Sequence, residues 1–187
     1  MTQIILINGK KRSGKDYTAS VLQEELYKNK KTSETLSFAG PIKDIIAESF
    51  RISHEDLDNF KNDEESIIVR KDGMQTVLTD FRKILQNFGT EAMKKYFGDD
   101  VWVKLLLEKA NKSFVDYVIV TDFRFPEEYI NEAITIRIKN SDVDYSKDPH
   151  LSETSLNDFV FDHTIDNTGY RDISSDISEL VNKIIKP

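Results

Sequence analysis

The sequence predicts an α/β fold, in which a parallel sheet of about five strands carries helices on both faces. Short apolar runs with the length of buried strands recur along the 187 residues, and segments with helical periodicity separate them. This alternation favours parallel strands, because a crossover helix returns the chain to the same end of the sheet. The length suits one domain with a substantial core. Ligands then bind at the carboxyl ends of the strands, so functional motifs are expected directly after them.

The first strand and the first helix are joined by a loop that contains two glycines. Apolar residues predict a strand over about 3–8, and a helix runs from Gly14 to about Asn29. Between them stands the pattern Gly9-x-x-x-x-Gly14-Lys15. The glycines let backbone N–H groups surround an anion, the helix N-terminus adds its positive dipole end, and Lys15 adds a mobile charge. The pattern therefore predicts a site for the phosphates of a nucleoside triphosphate.

Asp16 departs from the usual pattern, in which Ser or Thr follows the lysine and offers a hydroxyl to magnesium. A carboxylate can also hold Mg²⁺, directly or through water, because this ion prefers oxygen ligands. The alternative is a chance Gly-Lys pair in a turn. The position of the loop, after a strand and before a helix, favours the phosphate site.

Hydrophobic periodicity and turn residues predict the remaining elements. In the first half they are a strand over 34–38, a helix from Gly40-Pro41, a short helix over 53–60 with Ser53 as N-cap, a helix over 74–96 interrupted at Gly89, and a helix over 101–112. In the second half they are strands over 115–121, 134–138 and 160–165, a helix that opens at Pro126, and a C-terminal helix with the apolar stripe Ile173, Ile177, Leu180, Val181 and Ile184. Residues 139–157 are polar, which predicts a mobile loop or lid.

The strongest predicted strand ends in a carboxylate. Residues 118–122 read Val-Ile-Val-Thr-Asp, and Arg124 follows two residues later. In phosphate-loop enzymes such an aspartate lies beside the loop and holds magnesium or its waters. We therefore predict Asp122 as a metal ligand and Arg124 as a phosphate contact. The alternative is that Asp122 only caps the following turn.

A second group of polar and aromatic residues lies on predicted helices. Lys43 is in the first turns of the second helix, and Arg82 and Gln86 lie four residues apart on one helix face. An arginine fork suits a phosphate, and a glutamine amide can read the edge of a base. Taken alone, Arg82 and Gln86 fit a solvated helix face better, and Trp102 fits a core position better.

Composition excludes several classes of function. The chain has no cysteine, which excludes disulfides, thiolate metal sites and cysteine nucleophiles and fits a reducing cytoplasm. Its net charge of −7 argues against a protein that coats nucleic acid. No apolar run is long enough to span a membrane, and the N-terminus lacks a signal pattern. We expect a cytoplasmic protein with small-molecule partners, without a nucleic-acid polymer or a membrane as partner.

Short motifs follow one another along nearly the whole chain. They are Gly9–Asp16, Phe38–Lys43, Arg82–Glu91, Asp100–Trp102, Val120–Glu128, His150–Glu153 and Ile165–Gly169. In this order they resemble the bacteriophage deoxynucleoside monophosphate kinases. The phosphate loop alone is also similar to that of phosphomevalonate kinase, which shares the Ser-Gly-Lys-Asp form. The segment from Arg82 to Trp102 favours the nucleotide kinase.

The resemblance implies a P-loop NTPase fold with a helical monophosphate-binding insertion and a short lid. One domain would have its core at about 1–50 and 114–187, the insertion at about 51–112 and the lid at about 140–157. The implied reaction moves the γ-phosphate of ATP, with Mg²⁺, to a deoxynucleoside 5′-monophosphate and gives the diphosphate. Members of the resembled family are often homodimers, and a phage-encoded protein would act in the host cytoplasm.

The resemblance also implies roles for individual residues. ATP would contact Gly9, Lys10, Lys11, Arg12, Ser13, Gly14, Lys15, Asp16 and Tyr17, with Asn167 and Gly169 beside the adenine. The acceptor would contact Phe38, Lys43, Arg82, Gln86, Trp102, Arg124, His150 and Glu153. Asp16 and Asp122 would hold the metal, and the catalytic set would be Lys15, Arg12, Asp122, Arg124 and Arg137. Without the resemblance, Asn167-Thr-Gly169 reads equally well as a plain turn.

Two features depart from the resembled family. Lysines 94 and 95 stand where an arginine often follows Gly89-Thr-Glu91, and the predicted lid contains no arginine. Arg12, Arg137 and Lys147 are the cations available to the transferring group, and His150 and Glu153 would anchor a closed lid.

Two other functions stay open at the level of sequence. One is a small-metabolite kinase of the phosphomevalonate type, and the other is a non-catalytic ATP-binding switch. A second anion site formed by Lys43, Arg82 and Arg124 is expected for a kinase but not for a switch. Phosphoryl transfer depends on positioning and charge neutralisation, so no Ser-His-Asp arrangement is required. The sequence selects neither the base nor ribose against deoxyribose.

Overall fold

A computed structural model describes residues 2–60, 66–69, 76–79, 84–85, 87–143 and 154–185. The chain divides into two compact units. The first comprises residues 1–38 and 103–187, and the second comprises residues 39–102. Among the described residues, no helix has both the length and the apolar character that a membrane span requires.

The first unit contains a five-stranded parallel sheet. In chain order its strands are β1 (Gln3–Gly9), β2 (Ser33–Leu36), β5 (Tyr117–Val120), β6 (Ile134–Lys139) and β7 (His163–Asp166). Their order across the sheet is β2-β5-β1-β6-β7, and every pairing is parallel. Strand β1 is central, with Ile5 opposite Ile119 of β5 and Ile134 of β6. The predicted α/β fold with about five parallel strands is therefore confirmed.

Apolar side chains cover both faces of this sheet. Helices α1 (Lys15–Lys28) and α6 (Ser174–Ile184) share one buried cluster with alternate strand residues such as Ile5, Ile7 and Ile119. Leu6 and Val118, which alternate with them, are also fully buried. Because successive residues of a strand point to opposite faces, neither face of the central strands is open to water.

The second unit begins with two helices, α2 (Gly40–Phe50) and α3 (His54–Phe60). Ser53 caps α3 as predicted. Its Oγ accepts a hydrogen bond from the Asp56 N–H at 3.0 Å and donates one to the Asp56 carboxylate at 2.7 Å. This exchange satisfies a donor that the first turn of a helix otherwise leaves open. The helix predicted over 53–60 is therefore present, with an ordered start.

The long helix predicted over 74–96 is wrong in its first part. Strand β4 (Thr76–Thr79) pairs antiparallel with β3 (Ser66–Val69), so residues 76–79 are extended. The β-branched residues Thr76, Val77 and Thr79 favour this conformation, and a partner strand rich in β-branched residues provides the pairing. Further on, residues Asn87–Lys94 form a π-helical segment that continues into the short helix α4 (Lys95–Phe97).

The remaining predicted elements are present, but several have other bounds: the strands predicted over 34–38, 115–121 and 160–165 span 33–36, 117–120 and 163–166. Helix α5 spans Val101–Lys112, and the C-terminal helix α6 lies where its apolar stripe placed it. The helix predicted to open at Pro126 is only a 3-10 turn, Pro126–Glu128. It ends there because the backbone at Tyr129 is extended, with φ −65° and ψ 130°. A second 3-10 turn, Thr168–Tyr170, follows β7.

Candidate phosphate-binding site

The loop between β1 and α1 has the backbone conformation of an anion cradle. Arg12 and Gly14 have positive φ angles of 64° and 93°, and the Ser13 N–H closes the turn onto the Lys10 carbonyl at 3.0 Å. Left-handed residues of this kind turn successive N–H groups towards one side of the loop. The loop lies at the carboxyl end of the central strand, where ligands bind in parallel α/β sheets.

Two close approaches explain why the loop needs its glycines. A Cβ at Gly9 would lie 2.5 Å from Ser13 Oγ and 3.1 Å from the Ile138 carbonyl oxygen. A Cβ at Gly14 would lie 2.2 Å from Asn167 Nδ2, in a backbone region that disfavours side chains. A side chain at either position would therefore require neighbouring atoms to shift.

Lys15 lies at the junction of the loop and helix α1. Its Nζ donates to the Lys10 carbonyl oxygen at 2.8 Å, so the ammonium spans the loop. The Thr18 N–H makes the bond to Gly14 that opens the α1 ladder, at 2.9 Å. The peptide groups before Thr18 therefore present their N–H groups at the positive end of the helix dipole. Exposed Asp16 lies in this first turn.

Ser13 is the residue whose hydrogen bonding is incomplete. It is fully buried, and within the part of the chain that the structure describes its Oγ has no hydrogen-bond partner. A buried hydroxyl without a partner costs free energy. This Oγ lies 2.5 Å from the position that a Cβ at Gly9 would take, so the hydroxyl is enclosed by the loop itself.

Asp122 follows strand β5, which pairs with β1, so it lies at the same edge of the sheet as the phosphate loop. Its Oδ1 accepts a hydrogen bond from the Phe38 N–H at 2.8 Å. The carboxylate thus connects the ends of β5 and β2. Asp122 is half-buried, and Phe38 is buried at 3% exposure.

Arg124 is held through its backbone by a residue that the sequence analysis did not assign. Glu128, at 8% exposure, accepts hydrogen bonds through Oε2 from the N–H groups of Arg124 at 2.7 Å and Phe125 at 3.0 Å. Asn8, at the end of β1, donates to the Phe123 carbonyl oxygen at 2.8 Å. The available signal for Glu128 was an acid in the first turn after Pro126. Asn8 carried no signal beyond its place next to the loop.

A cavity of about 340 Å³ opens beside the start of the loop. Its lining residues are Asn8, Gly9, Lys10, Arg137, Ile138, Lys139, Asn140, Ser141, Leu156 and Asn157. Three of these are cationic, and none of the lining residues is acidic. The lining therefore favours an anionic ligand.

Arg137 lies in the wall of this cavity, and its guanidinium is hydrogen-bonded to backbone carbonyl groups. It donates to the carbonyl oxygens of Leu156 and Asn157, the latter at 3.3 Å, and its Cζ lies 4.4 Å from the centre of the Phe161 ring. Burial lowers the pKa of the Arg137 guanidinium. A guanidinium nevertheless stays protonated at neutral pH, so the side chain remains a cation.

Asn167 and Gly169 lie in the loop after β7 and face neighbouring loops of the same unit. Asn167 is buried at 5% exposure, and its Nδ2 donates to the Ser13 carbonyl oxygen at 3.0 Å. The Gly169 N–H donates to Asp142 Oδ2 at 2.5 Å. Hydrogen bonds from the side chain and backbone of Thr168 are the main reason that the pKa of Asp166 is lowered. The segment is thus fastened to the phosphate loop at Asn167.

The phosphomevalonate kinase family model matches residues 7–135, more than half of the chain. The chain belongs to the phosphomevalonate kinase family. The match begins just before the phosphate loop and ends in β6, so it includes Gly9–Asp16, Asp122 and Arg124. The match therefore covers both the phosphate loop after β1 and Asp122 after the neighbouring strand β5.

No curated protein matches the chain. Two solved structures with similar backbones are both of cobyrinic acid a,c-diamide synthase from Mycobacterium smegmatis, one with ADP and magnesium and one with an ATP analog and magnesium. They are 15% and 16% identical to this chain. Each alignment covers 98% of this chain and 82% of the synthase, with a TM-score of 0.43. At this level the likeness carries no weight for fold or function.

The residues predicted to contact the acceptor are only partly described. Lys43 lies half-buried in α2, and Trp102 lies in α5 at 4% exposure, the burial of a core side chain. Arg82, Gln86, Lys147, His150 and Glu153 lie outside the described residues. The predicted lid is described only at its two ends, residues 140–143 and 154–157.

Asp16 and Asp122 stay the predicted magnesium ligands. Within the described ranges, no group of three or more His, Asp or Glu side chains could hold a metal ion. Magnesium in kinase sites commonly uses one or two carboxylates, with water and phosphate oxygens as its other ligands. Asp16 on the first turn of α1 and Asp122 after β5 supply that number of carboxylates.

Proposed function

We propose that this member of the phosphomevalonate kinase family transfers the γ-phosphate of ATP, with Mg²⁺, to a deoxynucleoside 5′-monophosphate. The observation that carries the proposal is the tightly packed phosphate loop at the end of the central strand. A Cβ at Gly9 or Gly14 would collide with neighbouring atoms there. Such a loop fits the phosphates of a nucleoside triphosphate.

The side chains of the site supply position and charge. Lys15 spans the loop and can exchange its bond to the Lys10 carbonyl for a phosphate oxygen. Asp16 and Asp122 would hold the magnesium ion. When bound, Mg–ATP supplies the phosphoryl group and part of the neutralising charge. The acceptor phosphate is already nucleophilic at neutral pH, so the protein needs to orient it and exclude water rather than deprotonate it.

The order of motifs in the middle of the chain supports a nucleotide acceptor. The segment from Arg82 to Trp102 resembles the deoxynucleoside monophosphate kinases, and it combines an arginine for a phosphate with a glutamine for a base edge. Arg124, whose backbone is fixed by Glu128, would be a further phosphate contact.

A second candidate acceptor is phosphomevalonate. The family model that matches residues 7–135 favours it, because the chain shares that family's phosphate loop and the strands around it. In both candidate acceptors a phosphate group receives the γ-phosphate, so both require the same cationic surroundings. The two acceptors differ in the rest of the molecule, which the protein must recognise separately.

A coupled assay of ADP release separates the candidates. The wild-type protein is given ATP and Mg²⁺ with dGMP, dTMP, dCMP, dAMP, their ribose forms or mevalonate 5-phosphate. We expect turnover with at least one deoxynucleotide. Turnover only with mevalonate phosphate would replace the nucleotide acceptor by the metabolite. ATP binding without turnover on any acceptor would contradict a kinase and favour a nucleotide-dependent switch.

The site assignment is tested by Lys15→Ala. We expect a folded protein with transfer lowered by a factor of about 100 or more, because the cation that accompanies the moving phosphoryl group is lost. Lys183→Ala is the matched control, since the exposed Lys183 side chain pairs with the exposed Glu179 side chain of α6, and its loss should leave turnover unchanged. Wild-type rates in Lys15→Ala would show that the loop is not the reaction site.

A further inference from the structure

Asn167 connects the loop after β7 with the phosphate loop, 154 residues away in the sequence. Its side-chain amide is buried at 5% exposure and donates to the Ser13 carbonyl oxygen at 3.0 Å. Its own N–H donates to the Lys139 carbonyl oxygen at 2.8 Å. Asn167 is therefore fixed to the end of β6 by its backbone and to the phosphate loop by its side chain.

The bond to Ser13 fixes one peptide plane of the cradle. The described chain has no cis peptide bond, so the Ser13 carbonyl and the Gly14 N–H point in opposite directions from the same plane. An amide that holds the carbonyl on one side thereby holds the Gly14 N–H on the other. This N–H belongs to the left-handed residue that precedes α1, where the cradle meets the positive end of the helix.

The fit between Asn167 and Gly14 is close enough to set both residues. A Cβ at position 14 would lie 2.2 Å from Asn167 Nδ2, so the amide occupies the space that the glycine leaves. Neighbouring bonds hold Asn167 in this place. The Ser141 N–H donates to Thr168 Oγ1 at 2.9 Å, and the Gly169 N–H donates to Asp142 Oδ2.

We propose that Asn167 is a positioning residue for the phosphate loop, which acts on the phosphates of ATP by holding the Ser13–Gly14 peptide rather than by contact with the adenine. The inference rests on the proposed function in one respect, namely that the loop binds the phosphates of a nucleotide. It differs from the role that the resemblance implied, in which Asn167 lies against the base.

Two probes separate the two roles. Inorganic tripolyphosphate with Mg²⁺ has the phosphates without the base, and adenosine has the base without the phosphates. Calorimetric titration of the protein measures the affinity for each. We expect Asn167→Ala to weaken tripolyphosphate binding about tenfold, the order of one lost hydrogen bond in a buried site, and to leave adenosine binding unchanged.

Asn29→Ala is the matched control. Asn29 Nδ2 donates to the Glu25 carbonyl oxygen at 2.9 Å, so the same kind of bond is lost at the far end of α1. We expect this variant to bind both probes like the wild type. Asn167→Leu is a second variant, because it keeps a side chain of similar size and removes the donor without adding a charge.

These measurements test the role of Asn167 separately from the proposed kinase activity. Weakened tripolyphosphate binding in both Asn167 variants, with unchanged adenosine binding, supports that role. Unchanged tripolyphosphate binding, a loss confined to adenosine, or equal losses for both probes would overturn it. If the wild type binds tripolyphosphate but transfers to no acceptor, the kinase proposal fails while the role of Asn167 stands. If the wild type does not bind tripolyphosphate, both fail.

Discussion

Arg137 shows how its surroundings set the role of a charged side chain. The sequence placed it at the end of a strand and made it a candidate for the transferring phosphate. In the structure its guanidinium bonds the carbonyl oxygens of Leu156 and Asn157 and stacks on Phe161. A guanidinium that already satisfies two backbone acceptors holds the 154–161 segment against β6, and the cavity wall depends on it.

We expect Arg137→Lys to destabilise the protein by about 1–2 kcal/mol, because a lysine cannot reproduce the planar pair of hydrogen bonds or the stacking on Phe161. Urea unfolding measures the loss. Arg51→Lys, at an exposed position after α2, is the control and should change stability by less than about 0.5 kcal/mol. Unchanged stability combined with lost transfer would return Arg137 to the role of a phosphate contact.

At the level of residues, the sequence predicts those parts of the site that depend on local geometry. Gly9, Gly14 and Lys15 are recognisable because a phosphate loop needs them at a fixed spacing. Asn167 and Glu128 were not recognisable in the roles that the structure gives them. Their roles depend on partners such as the Ser13 carbonyl, which only the folded chain brings near.

Single elements follow the sequence where periodicity is regular. Helix α6 was predicted from one apolar stripe, and Ile173, Ile177, Leu180 and Val181 of that stripe are buried. The helix predicted over residues 76–79 is wrong, because the helical spacing of the apolar residues competes there with three β-branched residues that favour a strand. The pairing of β4 with β3 joins residues that are 7 to 13 positions apart, which a helical pattern does not reveal.

The stripe of α6 gives a prediction with an internal control. Ile177 is fully buried in the core cluster, whereas Ile184 is only partly buried against it. We expect Ile177→Ala to lower the free energy of unfolding by about 3 kcal/mol, since it leaves a cavity in close-packed surroundings. Ile184→Ala should cost about 1 kcal/mol. Equal losses in urea unfolding would contradict the burial that the structure gives to these two positions.

For the whole molecule, the alternation of strands and helices was enough to predict the parallel sheet, because parallel strands require crossovers. The topology then places the phosphate loop and Asp122 at the carboxyl ends of the neighbouring parallel strands β1 and β5. The order of elements does not predict which acceptor molecule is bound. That specificity depends on the individual side chains around the acceptor. The homodimer and the cytoplasmic location stay predictions.

Ligand binding should be visible in the stability of the whole protein. A ligand that binds only the folded state stabilises it, by about 2.7 kcal/mol at a hundredfold excess over Kd. For a protein of this length that corresponds to a rise in Tm of about 5–10 °C. We expect Mg–ATP to produce such a rise in the wild type and a much smaller one in Lys15→Ala, whose phosphate loop lacks the Lys15 ammonium. Addition of a metal chelator should reduce the wild-type rise, because Asp16 and Asp122 would then face the phosphates without the bridging ion. Thermal melts with MgCl₂ alone provide the baseline. Equal rises in the two proteins would place the nucleotide away from the loop and would contradict the site on which the proposed function depends.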